Sequence, residues 1–431
     1  MMDSPTPARP EPVASPSGVV GRVAVLSLGW VFLYLDRVLI LPLLPIVGHE
    51  FGIGDTLRGL IVSAYFVFYV GMQIPAGILG DRYGPGRILF ATYLLVGFSL
   101  IGIGALSHWY LVLLAFAALH GAGAGAYYSG SYSLTIGSVP TARRGIASAF
   151  VSVGMAAGLG LGLAFAAPMA TALGSWRQPF LLLSVPTILI AGLILYSSRR
   201  TPTTVSPVRA NPLETLRLAL GNRDLLILSI AAFFALYGFW VLITWAPSFL
   251  LENRAFDLTK AGQFTSVLAV AAVPGALAWG PLSDRIGRKW ISVGMLLVGS
   301  GAITMIGIAS SSAVLLGALA VYGLVSSLAW NPVLVAWAGD LVQTRQGLGT
   351  AIGLLNAFAV GSSFVGPVIT GLISDLTNSL SNGFYIGAAS LFVAAVLCMF
   401  VKEGPRRSEE PSVGTGASRP SHVDGEGSRT A

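Results

Sequence analysis

The chain has 431 residues, a formal net charge of +7, and hydrophobic side chains at 54% of positions against 10% charged. A soluble domain carries roughly 25% charged residues, so this balance excludes a water-soluble globule and points to a polytopic helical membrane protein. The basic excess gathers on no single face, which sets nucleic acid aside as a partner. The lone cysteine, Cys398, excludes an intramolecular disulfide and a cysteine metal cluster.

Residues 1–20 are rich in Pro, Ser and Ala, with no basic stretch leading into a short apolar core. They read as a disordered cytoplasmic tail rather than a signal peptide. Hydrophobic windows then predict six helices at 21–48, 57–80, 86–107, 109–137, 144–171 and 178–198. After a Pro-rich cytoplasmic linker, 199–222, six more follow at 223–251, 261–282, 289–309, 312–341, 346–374 and 382–401. Residues 403–431 form a second polar tail. The expected fold is all-α, with twelve transmembrane helices in two six-helix bundles, 21–198 and 223–402.

Within the first helix, VFLYLDRVLILPLL (residues 31–44) places an acid and a base side by side in apolar sequence. Counting from Gly21 at about 1.5 Å per residue puts Asp36 roughly 22 Å into a ~30 Å hydrocarbon layer. A charge there costs at least ~2.5–3.5 kcal/mol, which marks the pair as a functional candidate. Adjacent helical residues point 100° apart, so each should find its partner on another helix or in a cavity. Arg37 keeps its proton and offers a planar fork that suits a carboxylate, so it is the candidate anion anchor. Asp36 is the candidate proton carrier, with proton and anion binding cooperatively. The alternative is a permanently ionised pair that holds this helix in the bundle.

On the second helix Tyr65, Tyr69 and Gln73 recur every four residues and share one face. With Tyr34 they are candidate substrate contacts; a face built only for interhelical hydrogen bonds is the alternative. The fourth helix carries HGAGAGAYYSGSYS from His120. Its glycines permit close packing, Tyr127 is a candidate liner, and His120 is either a second proton carrier or a hydrogen-bonded packing residue. The fifth helix shows a small-residue ridge at Gly154, Gly158 and Gly162. In the second half Tyr237, Trp240, Asn331 and Asn356 are candidate liners, with bulk packing the alternative for the tryptophan.

The halves echo one another. GILGDRYGPGR starts at Gly77 and GPLSDRIGRK at Gly280, with Asp81 and Asp284 offset by 203 residues (284 − 81). RRGIAS at Arg143 and RQGLGT at Arg345 are offset by 202 (345 − 143). Duplication of this kind is the usual build of secondary transporters. With both termini inside, Arg58, Arg177, Arg254 and Lys260 fall outside and Arg37 within the membrane. The remaining Lys and Arg lie on the cytoplasmic side, as the positive-inside rule asks.

At the two loops the sequence resembles the major facilitator superfamily, whose signature between its second and third helices is roughly G-x-L-x-D-R-x-G-R-R. Gly77, Leu79, Asp81, Arg82 and Gly84 match it. Pro85 and Gly86 depart from the usual bases, and Arg87 supplies a charge slightly later. The resemblance implies a cytoplasmic gate latch formed by Gly77, Asp81, Arg82, Gly84 and Arg87, and by Asp284, Arg285, Gly287 and Arg288 in the second copy; loops that only set topology are the alternative. Asp340, near the cytoplasmic end of the tenth helix, is expected to pair with Arg285 or Arg288.

YLDR at Tyr34–Arg37, SAYFVFYVGMQIPAGILGDR from Ser63, YGFWVLITWAPSFLLE from Tyr237 and GLGTAIGLLNAFAVGSSFVGPVITGLISDLT from Gly347 are similar to the anion:cation symporter family within that superfamily. That likeness implies carriage of a small organic anion, a sugar acid or other carboxylate, by proton symport and alternating access. Ala117, Ala124 and Ala126 stand where many relatives carry an arginine or a coupling glutamate. The alternatives are a passive uniporter or antiporter of a small polar solute, and a solute sensor. No phosphate loop, HExxH or GxSxG is present, so no enzyme is expected. No cofactor is expected either, the proton gradient being the driving force. The expected setting is the plasma (inner) membrane among lipids, as a monomer with both termini cytoplasmic.

Overall fold

The computed structural model describes residues 16–138, 144–198, 220–342 and 345–403. Residues 1–15 and 404–431, most of the expected linker, and Arg143 of the second echo lie outside the described residues, as do the side chains of Asp81 and Arg345. Among the described residues, eleven helices are long and apolar enough to cross a membrane. Tyr110–Gly125 is a shorter apolar helix that Tyr127–Ser138 continues, so twelve spans result. In chain order they are span 1 (Pro16–Val38 with Leu44–Phe51), span 2 (Asp55–Tyr83), span 3 (Pro85–Leu106) and span 4 (Tyr110–Gly125 with Tyr127–Ser138). Spans 5 to 8 are Arg144–Leu173, Gln178–Ser198, Arg223–Arg254 and Leu258–Ile286. Spans 9 to 12 are Arg288–Ile308, Ser312–Val325 with Ser327–Asp340, Arg345–Thr377 and Leu380–Met399.

Spans 2, 8 and 11 outrun their hydrophobic windows by a few residues, whereas span 6 begins and ends where its window does. Asn222 accepts from the Leu225 N–H at 3.1 Å and Asp257 from the Lys260 N–H at 2.8 Å. Three expected helices are interrupted. In span 1 a 3-10 turn, Leu41–Leu43, forms around Pro42, which has no N–H to continue the helix. Span 4 loosens at Ala126, and span 10 breaks at Ser326, whose ψ of 167° is extended. The latter two breaks are 200 residues apart (326 − 126), close to the repeat offset.

Packing repeats as the sequence does. Span 1 lies on span 5, span 3 on span 6, and span 2 on span 4; six spans later, 7 lies on 11, 9 on 12, and 8 on 10. The halves meet through spans 2 and 11 and through spans 5 and 8, two contacts that a pseudo-twofold exchanges. The two echoed loops turn on glycines with positive φ, Gly84 at 92° and Gly287 at 119°. Each donates its N–H to the carbonyl four residues back, at 2.9 and 3.0 Å. Only glycine adopts such backbone without strain.

Close helix approach depends on absent side chains. A Cβ on Gly154, Gly158 or Gly162 of span 5 would overlap the carbonyls of Ser27, Val31 or Leu35 on span 1. Gly121 and Gly125 of span 4 stand in the same relation to the Tyr65 and Tyr69 carbonyls of span 2. Without a hydrophobic drive between helices in lipid, such contact supplies the van der Waals and backbone packing that holds them.

At the end away from Pro16 and Glu403, the distal end, polar contacts clasp the halves together. Asp375 of span 11 accepts from the N–H groups of Asp55 and Thr56 at 2.8 and 2.9 Å and from the Thr56 hydroxyl at 2.5 Å. Ser374 donates to Asp55 at 2.7 Å, and Arg58 pairs with Asp55 at 3.0 Å and with Glu252 of span 7 at 2.8 Å. A turn deeper, the Ser63 hydroxyl donates to the Phe364 carbonyl at 2.5 Å. Gly59 against Pro367 and Gly371 against Asp55 leave no room for a Cβ.

Candidate functional site

Span 1 carries Asp36 and Arg37 into the first bundle, and the 100° between them sends each to a different neighbour. Asp36, 1% exposed, accepts the Thr187 hydroxyl of span 6 on Oδ2 at 2.9 Å. Its Oδ1 is buried without a partner. Arg37, 7% exposed, faces span 2 and donates from Nε to the Tyr65 hydroxyl at 2.8 Å. Four aromatic rings surround its guanidinium. Its Cζ lies 4.4 Å from the Tyr34 ring centre, 4.6 Å from Tyr69, 5.2 Å from Tyr65 and 5.5 Å from Phe66. The negative faces of those rings offset part of the desolvation of the cation. Arg37 Nη2 is buried and unpartnered.

His120 of span 4 meets the Tyr65 ring edge to face at 5.1 Å, and its Nε2 is also buried without a partner. Asp36, Arg37, Tyr65 and His120 line one cavity, whose remaining walls are hydrocarbon and aromatic. Ile40, Ile61, Ile103, Leu113 and Phe180 come from the first half and Trp240 from the second. Trp240 packs on Phe66 at 4.4 Å between ring centres. The free room is about 30 Å³, enough for a water or two in this state. Three unpaired polar atoms beside such a space offer a donor to an anion, an acceptor to a proton and an imidazole nitrogen.

The expected site residues divide. Tyr34, Tyr65, Tyr69, His120 and Trp240 gather with the acid and base. Gln73 lies one turn beyond Tyr69, its Nε2 buried and unpartnered, and does not line the cavity. Nor does Tyr127, whose hydroxyl donates to the Leu26 carbonyl at 2.9 Å and whose ring packs on Trp30 and Tyr93, tying span 4 to spans 1 and 3. Tyr237 is buried beside the span 11 backbone at Gly366, while Asn331 is exposed and Asn356 half-buried. None of these three reaches the cavity. Thr187 is a liner's partner that the sequence reading passed over, although a threonine within the apolar run of span 6 is a polar signal of the kind that marked Tyr65.

At the proximal end, Arg288 bonds Asp284 at 3.2 Å and pairs with Asp340, joining spans 8, 9 and 10. Arg285 is exposed, as are Arg82, which lies over the Tyr83 ring, and Arg87. Gly77 faces open space.

The Tyr65 hydroxyl lends itself to a test that needs no functional assumption. Tyr65→Phe keeps the ring and removes the acceptor, leaving Arg37 Nε buried and unpaired. A loss of about 1–3 kcal/mol is expected, read as a lower melting temperature of the purified protein in detergent. An unchanged melting temperature would show the bond to be dispensable.

The profile of the Major Facilitator Superfamily matches residues 26–345 and 228–423. The chain is 28% identical over 412 residues to a probable sulfoacetate transporter of Cupriavidus necator, covering 88% of this chain and 93% of that one. It is 27% identical over 414 residues to the hexuronate transporter of Bacillus subtilis, covering 88% and 94%. Among solved structures, a bacterial homologue of the human lysosomal transporter Spinster, inward-facing and unoccupied, superposes with a TM-score of 0.74 at 18% identity. That match covers 90% of this chain and 96% of the other.

Proposed function

Because the chain belongs to the Major Facilitator Superfamily, a family of membrane transporters and not of enzymes, we propose that it moves a small organic anion by alternating access in symport with protons. The observation that carries this reading is the Arg37 guanidinium, buried among aromatic rings with Nη2 unpaired beside a cavity. An arginine there cannot shed its charge, so an anion is the natural counterpart. The relatives named above, which carry organic anions, lend support.

Coupling follows from charge. An anion on Arg37 and a proton on Asp36 each cancel part of the other's cost in a low-dielectric site, so the two favour joint occupancy. The unpaired Asp36 Oδ1 is the atom that would take the proton, with His120 Nε2 as a second position. Trp240 belongs to the second half, so parting the halves widens the cavity. The distal clasp makes the observed state closed at that end. We assign the distal end to the outside and both termini to the cytoplasm, in the plasma (inner) membrane, with the proton gradient as driving force, no cofactor and a monomer as the working unit.

The test is uptake into liposomes under an inward proton gradient, with Asp36→Asn beside wild type. Wild type is expected to accumulate anion with the gradient. Asp36→Asn is expected to lose that accumulation while retaining exchange of labelled for unlabelled anion. If Asp36→Asn accumulates anion as wild type does, Asp36 is not the coupling residue and a uniporter becomes the better reading.

A further inference from the structure

We infer that the anion taken by this site has an apolar body, an arylalkyl carboxylate or sulfonate, rather than a polyhydroxylated sugar acid. The inference rests on the organic-anion reading and narrows it. Three unpaired polar atoms are available at the cavity lining, Arg37 Nη2, Asp36 Oδ1 and His120 Nε2. Together they serve one anionic head and about one further donor or acceptor. The Tyr65 hydroxyl, which already accepts from Arg37 Nε, is the one other polar group facing the space from the first half; the rest of that lining is aliphatic and aromatic.

The arrangement along the bundle is as telling as the count. On span 1, which runs toward the distal end, Ile40 lies a turn beyond Arg37. Span 2 runs the other way, and there Ile61 precedes Tyr65 by a turn. On span 4, also running back, Leu113 precedes His120 by seven residues, roughly 10 Å. Ile103 lies in the last turn of span 3, and Phe180 lies two turns before the Thr187 that holds Asp36. In five separate helices the apolar wall is therefore distal to the polar groups. The cavity has a charged floor and a greasy roof, and it orients its ligand with the anionic group toward the termini and the body away from them.

Phe180 makes that roof aromatic, and Phe66 and Trp240, 4.4 Å apart beside the floor, add aromatic walls from both halves, which suits an aryl ring lying between the halves. A hexuronate would carry its several hydroxyls into the same roof, where no side chain offers them a partner. Pockets of this character discriminate strongly against groups whose hydrogen bonds go unmade.

The experiment is binding to the purified protein by calorimetry, with phenylacetate and benzylsulfonate as apolar-bodied probes and glucuronate as the hydroxylated one. Wild type and Arg37→Ala would be run side by side, with Leu113→Asn to alter the roof. Wild type is expected to bind the aryl anions at least about 100-fold more tightly than glucuronate. That binding should vanish in Arg37→Ala, and Leu113→Asn should shrink the preference about tenfold by lending glucuronate a partner. Glucuronate bound as tightly as phenylacetate, through Arg37, would overturn this inference and leave the organic-anion reading standing. No anion bound by wild type, with a neutral or cationic solute bound instead, would remove both.

Discussion

Arg37→Lys is expected to lower anion uptake at least about 100-fold although it preserves the charge. The Arg37 side chain performs two tasks at once: Nε is committed to the Tyr65 hydroxyl at 2.8 Å, and Nη2 remains for a ligand. A lysine ammonium is a compact point charge and cannot present a second, oriented edge while bonded to the tyrosine. The rings of Tyr34 and Tyr69, 4.4 and 4.6 Å from Cζ, fit a flat guanidinium, and an ammonium between them would lose stacking as well. Exchange of labelled anion in liposomes, with elution on size exclusion as the check on folding, reads the effect. Transport by Arg37→Lys within a few-fold of wild type would mean that the fork is not what holds the anion.

Asp375→Ala is expected to favour opening of the distal end. Asp375 is a side chain of the second half that caps a helix of the first, accepting two backbone N–H groups and a hydroxyl at the N-terminus of span 2. A carboxylate so placed meets both the unsatisfied donors and the positive end of the helix dipole. Loss of a capping side chain costs roughly 1–2 kcal/mol, a factor of about 5–30 in the balance between closed and open forms. A cysteine placed at Ile61, distal to the charged floor, would report the change as faster reaction with an impermeant maleimide added from that side. The rate should rise in Asp375→Ala and rise less in Asp375→Asn, whose amide oxygen still accepts. An unchanged rate would assign the closure to the remaining contacts, Arg58 with Glu252, Ser374 with Asp55, Ser63 with Phe364 and the glycine approaches of Gly59 and Gly371.

Hydropathy made the twelve spans legible, because crossing lipid requires length and apolarity wherever the helix sits. The duplication was legible from two loop motifs, and the structure extends it to the order of packing. Arg37, Tyr65 and Tyr69 were legible because polar groups are costly in lipid and four-residue spacing puts the two tyrosines on one face. What stayed hidden depends on how each helix is rotated about its axis. Tyr127 carries the same hydroxyl as Tyr65, yet its neighbour is the Leu26 carbonyl rather than the cavity. Ile103, Leu113 and Phe180 line the site but are indistinguishable in sequence from residues that face lipid. The clasp of Asp55, Arg58, Glu252 and Asp375 joins residues up to 320 apart in the chain, and no local pattern announces it.

The glycines of spans 4 and 5 bear on how such a chain can change over time. Gly121 and Gly125 abut the backbone of the very residues, Tyr65 and Tyr69, that surround Arg37, and Gly158 and Gly162 abut span 1 within the turns leading to it. Much of the frame of the site is thus held by backbone approaches at these glycines, independent of the side chains that line the cavity. A residue such as Leu113 or Ile103 can be exchanged for another of similar volume and alter which ligand fits while the frame stays put. A methyl group added to Gly121 displaces the tyrosine backbone and spoils the site for every ligand alike. In a complete survey of single substitutions, the least tolerant positions should therefore include residues with no chemistry of their own, and the roof of the cavity should be where new preferences arise at small cost.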